Sequence, residues 1–225
     1  MSKQIHVSRR GFLWGVSASA ALLTTRGAFA ELVQTPAQTE GPFYPNHLPL
    51  DTDNDLIRIN SDLTPAVGEI THLSGRVLDA RGNPLKSAVV EIWQVDNNGA
   101  YIHTQSSGGE RRDAHFQGFG RFLTSREGEY YFRTVKPVPY GDDRMQRTRH
   151  IHMSIHVPGQ DTFTTQCYVK GEPLNATDGV LNGIEDRAAR ESVIVDFAPV
   201  PGSPIGELAA RFDIVLGLTP PDPAH

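Results

Sequence analysis

The chain has 225 residues, 38% of them hydrophobic and 21% charged, with a formal net charge of -5. That balance suits one folded domain rather than a disordered or fibrous protein, and its acidic sign gives no electrostatic footprint for nucleic acid or an anionic membrane. The single cysteine, Cys167, excludes an internal disulfide and any CxxC-type zinc site.

Residues 1–30 read as a targeting segment. Ser8-Arg9-Arg10-Gly11-Phe12-Leu13 leads into a mildly apolar run ending at Leu23, followed by the cleavage-like Ala28-Phe29-Ala30. The run is too short to span a bilayer comfortably and ends in small residues, as a removable signal does. Its paired arginines resemble a twin-arginine export signal, which implies an exported protein, periplasmic or secreted, with no stable membrane anchor after cleavage behind Ala30.

Residues 31–68 form an arm and a loop. Gln34 to Pro45 reads as an extended, proline-set arm, and Asn46 to Asn60 as a polar loop. Phe43 and Tyr44 need burial, so the arm is expected to pack on the domain and to be able to line a pocket.

Strand signals follow at intervals of roughly eight to twelve residues, the mark of a sandwich or barrel. Ile70–Leu78 and Ala88–Gln94 flank the turn Asp79–Pro84 as a hairpin-like unit, and Asp96-Asn97-Asn98-Gly99 turns the chain into Tyr101. Gly108–Gly120 reads as a long surface loop, and Arg121–Thr124 and Tyr130–Val135 as short strands. Lys136-Pro137-Val138-Pro139 makes a stiff approach to Tyr140. Phe163–Val169, Ser192–Phe197 and Arg211–Leu216 read as further strands and Gly183–Arg190 as a short helix. The prolines of the tail, 218–225, cannot continue a sheet. The expectation is an all-β, single-domain β-sandwich over 69–217 with long loops and an N-terminal extended arm.

His150 and His152 share one parity of an alternating segment, about 7 Å apart along a strand, so two imidazoles can converge on one metal. Imidazole suits zinc, copper, iron and nickel alike, and a polar strand face is the plainer reading of the pair by itself. His156 has the same parity but lies about 13 Å from His150, beyond the reach of a shared ion. No acidic residue sits nearby in an H-x-[DE] motif, which leaves Tyr101 and Tyr140 as the alternative donors. A phenol, with its pKa near 10, ligates only as phenolate, and a trivalent iron gains most from so hard an anionic donor.

A set of motifs extends this. Leu73-Ser-Gly-Arg-Val-Leu-Asp-Ala-Arg-Gly-Asn-Pro-Leu, Val90-Glu-Ile-Trp-Gln, Gly99-Ala-Tyr-Ile-His103, Phe116-Gln-Gly-Phe-Gly-Arg121, Tyr131-Phe-Arg-Thr134, Pro139-Tyr140 and Arg147-Thr-Arg-His-Ile-His152 together resemble the intradiol ring-cleavage dioxygenases, above all the protocatechuate 3,4-dioxygenase subunit type. The resemblance covers about 38–199. It implies a non-haem Fe(III) cofactor held by Tyr101, Tyr140, His150 and His152, with Tyr140 and His152 axial. It also implies Arg147 and Gln166 as active-site residues, and Gly41-Pro42-Phe43-Tyr44 as pocket lining. The implied reaction opens a small aromatic diol with dioxygen to a muconate-type diacid, and a homo-oligomer is compatible with it. Trp93 and His103 are read as packing residues around the metal, and Arg149, of opposite parity to His150, as pointing away. Two rivals stand beside this reading: a metal-free transthyretin-like module, which Gly75 to Trp93 also resembles, and a cupin-like ferrous or zinc enzyme. Neither accounts for both tyrosines.

Overall fold

The computed structural model describes residues 32–60, 63–106, 108–142 and 145–217. The leader read at 1–30 and the tail at 218–225 lie outside the described residues. The first sheet is built on β1 (Ile70–Asp79). One edge of β1 pairs antiparallel with β4 (Glu129–Val135). The other pairs parallel with β11 (Leu208–Arg211) along its first half and with β12 (Ile214–Leu216) along its second. A short β10 (Phe197–Pro199) extends the sheet beyond β11.

The second sheet runs in the order β3 (Phe119–Leu123), β2 (Val89–Trp93), β7 (His150–His156), β8 (Phe163–Val169) and β9 (Ile194–Val195). A two-stranded ribbon, β5 (Tyr140–Asp142) with β6 (Met145–Arg147), delivers the chain to β7. The all-β expectation therefore holds, with two sheets enclosing one core.

Alternation decides which side chains enter that core. Val90 and Ile92 of β2 and Ile151, Met153 and Ile155 of β7 join Leu73, Val77 and Phe132 of the first sheet in a single buried cluster. The intervening residues, Trp93, His150, His152 and Ser154, therefore lie on the outer face of the second sheet. A one-residue slip of β7 would turn three apolar side chains outward at roughly 1.5–3 kcal/mol each, so the register that exports the histidines from the core is strongly held. Yet β7 is buried on both faces from His150 to Ile155. A second layer must cover the outer face, and the N-terminal arm supplies part of it.

Several expectations need correction. Ile70–Leu78 and Ala88–Gln94 do not form a hairpin, because the turn at Asp79–Pro84 carries the chain from one sheet to the other. Asp79 caps that turn, accepting from the backbone N–H groups of Arg81 and Asn83 and from Asn83 Nδ2. The polar loop 46–60 is not wholly solvated, since Leu56 and Ile57 are fully buried in the core. The helix expected at Gly183–Arg190 is replaced by two shorter ones, α1 (Gly179–Asn182) and α2 (Arg187–Ser192), each started by an aspartate cap, Asp178 and Asp186. Ser192–Phe197 breaks into β9 and β10, and Arg211–Leu216 is interrupted at Phe212–Asp213.

That last interruption has a visible cause. Phe212 N–H donates to Ser74 O, its carbonyl accepts from Tyr130 Oη, and Asp213 Oδ1 accepts from Arg76 N–H. The Phe212 carbonyl thereby sits on Gly75, where an added Cβ would lie 1.8 Å from it. Backbone cannot yield as a flexible side chain does, so Gly75→Ala is expected to destabilise the fold by about 3 kcal/mol, the upper end for overpacking. Denaturant unfolding of the metal-free protein measures this, and a midpoint unchanged from wild type would contradict it.

Candidate metal centre

Antiparallel register lays the outer face out in rows. Phe119, Trp93, His152 and Gln166 stand opposite one another across β3, β2, β7 and β8, and His150 stands opposite Tyr168. Trp93 lies flat against His152, with ring centroids 5.0 Å apart and planes at 10°. The indole thus fixes the tilt of the imidazole. The sequence reading of Trp93 as a packing partner agrees with this geometry.

The two tyrosines arrive from loops. Beyond β2, Asp96 Oδ1 accepts from the N–H groups of Asn98 and Ala100, and this closed turn sets the direction of Tyr101. Tyr140 opens the β5–β6 ribbon directly opposite Arg147. Gly99, in the first turn, lies against Tyr140, so both phenols approach from one side.

All four side chains meet. His150 Nε2 and His152 Nε2 lie 3.1 Å apart, and Tyr101 Oη is 3.1 Å from the second and 3.5 Å from the first. Tyr140 stands edge-on to Tyr101, with ring centroids 5.1 Å apart, and 5.5 Å from the ring of His150. Among the described residues no cluster of three or more His, Cys, Asp or Glu side chains could hold a metal, so the imidazole pair is completed by phenols rather than carboxylates.

The electrostatics suit a cation in their midst. Burial, reinforced by the Arg147 charge, brings His150 down to about 3, and burial with His150 beside it holds His152 well below the ordinary range. Both imidazoles are therefore neutral at pH 7, with lone pairs available. His150 Nδ1 donates to Thr148 O at 2.6 Å, which leaves its Nε2 as the acceptor facing His152. Burial pushes Tyr101 well above 10 and raises Tyr140 as well. Neither phenol would ionise alone, and a strongly Lewis-acidic cation is what could make both do so. His152 Nδ1 and Trp93 Nε1 are buried without a hydrogen-bond partner among the described residues.

Arg147 and Gln166 flank this cluster. The arginine donates through Nη2 to Gln166 Oε1 at 2.7 Å, and its charge bears on Tyr140 opposite it. Gln166 is held on every side: Tyr168 Oη donates to its Oε1, and its Nε2 donates to Thr39 O. Arg149 turns away to Glu172 and the Pro137 carbonyl, as its parity predicts. His156 bonds Glu91 and Thr162.

The arm crosses the face as expected. Thr35 exchanges hydrogen bonds with Val215, and Gln38 then donates to Thr164 O through its backbone and to Tyr168 Oη through Nε2, which seats the arm along β8. Gly41, at φ +74°, then passes over His152, where an added Cβ would meet the ring carbon Cε1 at 3.4 Å. Phe43 stacks on Tyr101 at 5.0 Å and turns an edge to Tyr140 and His103. Tyr44 does not face the cluster. It stands edge-on to Trp93 and donates to buried Glu91, and burial followed by that carboxylate pushes it up to about 12. Of the four arm residues, Gly41 and Phe43 touch the centre, and Tyr44 pins the arm down.

Sequence reasoning missed Glu91, Gln38, Tyr168 and Asp178. Gln38 and Tyr168 carry no motif of their own, and Glu91 sits within the Val90–Gln94 motif without any sign of its partners. Asp178 did carry one, a helix-capping signal before Gly179-Val180-Leu181, but nothing in that signal points to Arg147, 31 residues upstream.

The chain is similar to known dioxygenases. A family model described as Dioxygenase matches residues 39–217. The protocatechuate 3,4-dioxygenase beta chain of Burkholderia cepacia is 36% identical over 171 residues, covering 73% of this chain and 71% of its own. A catechol 1,2-dioxygenase of Acinetobacter baylyi is 30% identical over 176 residues, and the match spans 72% of this chain but only 53% of that longer protein. The dioxygenase domain of a dioxygenase carbohydrate-binding protein fusion from Streptomyces sp. SirexAA-E superposes with a TM-score of 0.62 at 28% identity, covering 83% of this chain and 99% of that one. Matched over most of its length by model, relatives and fold alike, the chain belongs to the intradiol ring-cleavage dioxygenase family.

Proposed function

We propose that the protein is a non-haem Fe(III) enzyme that opens a catechol-type ring with dioxygen to give a cis,cis-muconate-type diacid. The observation that carries this reading is the buried meeting of Tyr101 Oη with His150 Nε2 and His152 Nε2, within 3.1–3.5 Å of one another, with the ring of Tyr140 5.1 Å from that of Tyr101. Two neutral imidazoles and two phenols fit a hard trivalent cation better than zinc or a ferrous ion, which commonly take a carboxylate or thiolate. When bound by these four residues, Fe(III) would supply Lewis acidity toward a diol and keep the bound ring electron-rich toward dioxygen.

The chain's own groups have separable tasks. Tyr140 Oη, as phenolate, is placed to accept a proton from the diol, and Arg147 beside it favours the anionic form. The guanidinium stays cationic throughout and faces the site where negative charge grows on the ring. Gln166, with its oxygen occupied by Arg147 and Tyr168, keeps an amide N–H as its available donor on that side. Phe43 and the arm roof the cluster and exclude water.

Protocatechuate, catechol and hydroxyquinol appear in the names of relatives, and all contain a vicinal diol on an aromatic ring. The shared diol is the substrate class proposed; the ring substituent is not part of the proposal. Aerobic reconstitution with iron is expected to produce a burgundy protein with a tyrosinate-to-iron charge-transfer band, and both atoms of labelled dioxygen should enter the product by mass spectrometry. A colourless reconstituted protein, or product carrying one labelled atom, would contradict the proposal.

A further inference from the structure

Arg147 has to present its guanidinium to the centre at a particular angle, and a long side chain does not choose that angle unaided. The group that constrains it comes from a distant part of the chain. Asp178, fully buried at the start of α1, uses its two carboxylate oxygens for two different tasks. Oδ1 accepts from the N–H groups of Val180 and Leu181, at 3.0 and 2.9 Å, and caps the helix. Oδ2 accepts from Arg147 Nε at 2.8 Å and from Thr148 N–H at 3.0 Å.

With Nε tied to Asp178 and Nη2 tied to Gln166 Oε1, the plane of the guanidinium is fixed by two bonds along one edge. Tyr140 stands directly opposite Arg147 across the β5–β6 ribbon. Asp178 is itself held rigidly, because its backbone carbonyl accepts from Asn182 N–H and Nδ2. Four N–H donors converge on a carboxylate that has no access to solvent. Burial alone would raise it, and the Arg147, Leu181 and Thr148 bonds together hold it below the ordinary carboxylate range.

We infer that Asp178 is the positioning residue of Arg147: by clamping Nε it sets the guanidinium against Gln166 and Tyr140. The inference rests on the reading of Arg147 given above. Among the described residues Asp178 makes no hydrogen bond to the four-residue cluster; its charge raises Tyr140 and His150 slightly from a distance, and its bonded route into the site is the arginine.

Asp178→Asn separates the two tasks. Asparagine caps a helix as well as aspartate does, so Oδ1 can keep α1 in place. Its Nδ2, however, would face the N–H groups of Arg147 and Thr148, donor against donor. In the iron-loaded enzyme acting on a catechol, Asp178→Asn is expected to lower kcat by about 10–100-fold, as loss of an outer-layer orienting partner commonly does. KM and the visible band should change much less. In an Arg147→Ala background the same substitution should leave kcat unchanged within about twofold, since the group it orients is gone. Asp178→Ser, whose hydroxyl can cap α1 but offers no second acceptor, repeats the measurement should the amide not fold. A crystal structure of metal-free Asp178→Asn supplies a readout independent of activity, and in it Arg147 should have left Gln166 Oε1.

An unchanged kcat, or a loss of equal size in both backgrounds, would overturn the inference, as would an undisturbed Arg147–Gln166 contact. Wild-type protein that neither holds iron nor opens a catechol would overturn the functional reading as well. Active, coloured wild type with an indifferent Asp178 variant would sink this inference alone.

Discussion

His152→Ala is expected to yield a folded protein that holds no stoichiometric iron and has lost ring-cleavage activity. His152 Nε2 is the atom nearest to both other mapped donors, 3.1 Å from His150 Nε2 and 3.1 Å from Tyr101 Oη, so its removal opens one side of the cluster. Losing a direct donor should exceed the roughly 10–100-fold cost in affinity that follows loss of an outer partner. The fold should tolerate the change. His152 is buried and neutral, its Nδ1 has no partner among the described residues, and its ring packs flat on Trp93 and edge-on to His150 beneath Gly41. The cavity left behind is partly offset by relief of that unsatisfied polar atom. Iron content, the visible band and thermal unfolding with and without iron test this together. Wild type should gain stability on iron loading by mass action, and the variant should not. A variant that keeps the wild-type band and iron stoichiometry would remove His152 from the proposed ligand set.

Strand alternation makes the facing pair of histidines legible in the sequence, whereas the set of four proposed donors comes from the family resemblance. One parity of β7 is apolar and enters the core, which leaves His150 and His152 together on the other face. Tyr101 and Tyr140 stand out as candidates for a related reason, since the turn at Asp96–Gly99 and the prolines before Tyr140 set the chain's direction just where a phenol follows. What periodicity does not carry is sheet membership. Val77 and Val90 each sit in a run that reads as half of a hairpin, yet they belong to opposite sheets, because pairing depends on β4 and β7, far along the chain. The break at Phe212 is likewise a response to Gly75, more than a hundred residues earlier, and no local propensity foretells it.

Long-range polar contacts were the least legible class. Gln38, Glu91 and Asp178 look like ordinary surface residues when read singly, and each proves to hold part of the site. Gln38 ties the arm to Tyr168 and Gln166, and Glu91 anchors Tyr44 while accepting from both Nε and Nη2 of Arg121. A buried carboxylate is stable only when its partners surround it, and those partners come from segments that sequence order keeps apart. The arm illustrates the consequence. Its two aromatics predict that it packs on the domain, but the hydrogen bonds to β8 that seat it as the roof of the centre carry no local signal.

Arg147→Ala is expected to leave iron and colour in place and to lower kcat by about 100–1,000-fold, the scale for removing one preorganised charge-stabilising group. The guanidinium is half-buried beside Tyr140, and its pKa rises above the ordinary arginine value: burial works against this, but Asp178 outweighs it. It is thus a permanent positive charge at the edge of a water-poor site, where developing negative charge on a diol ring would be felt most strongly. Arg147→Lys separates charge from geometry. A lysine ammonium restores the charge, yet it cannot donate to Asp178 Oδ2 and Gln166 Oε1 along one rigid edge as Nε and Nη2 do. Lysine should therefore recover only a small part of the lost rate, and Gln166 should lose its fixed orientation with it. Full recovery by lysine would show that charge alone suffices and that the planar clamp from Asp178 is dispensable. A loss of iron in Arg147→Ala equal to that of His152→Ala would place the arginine's role in metal retention instead.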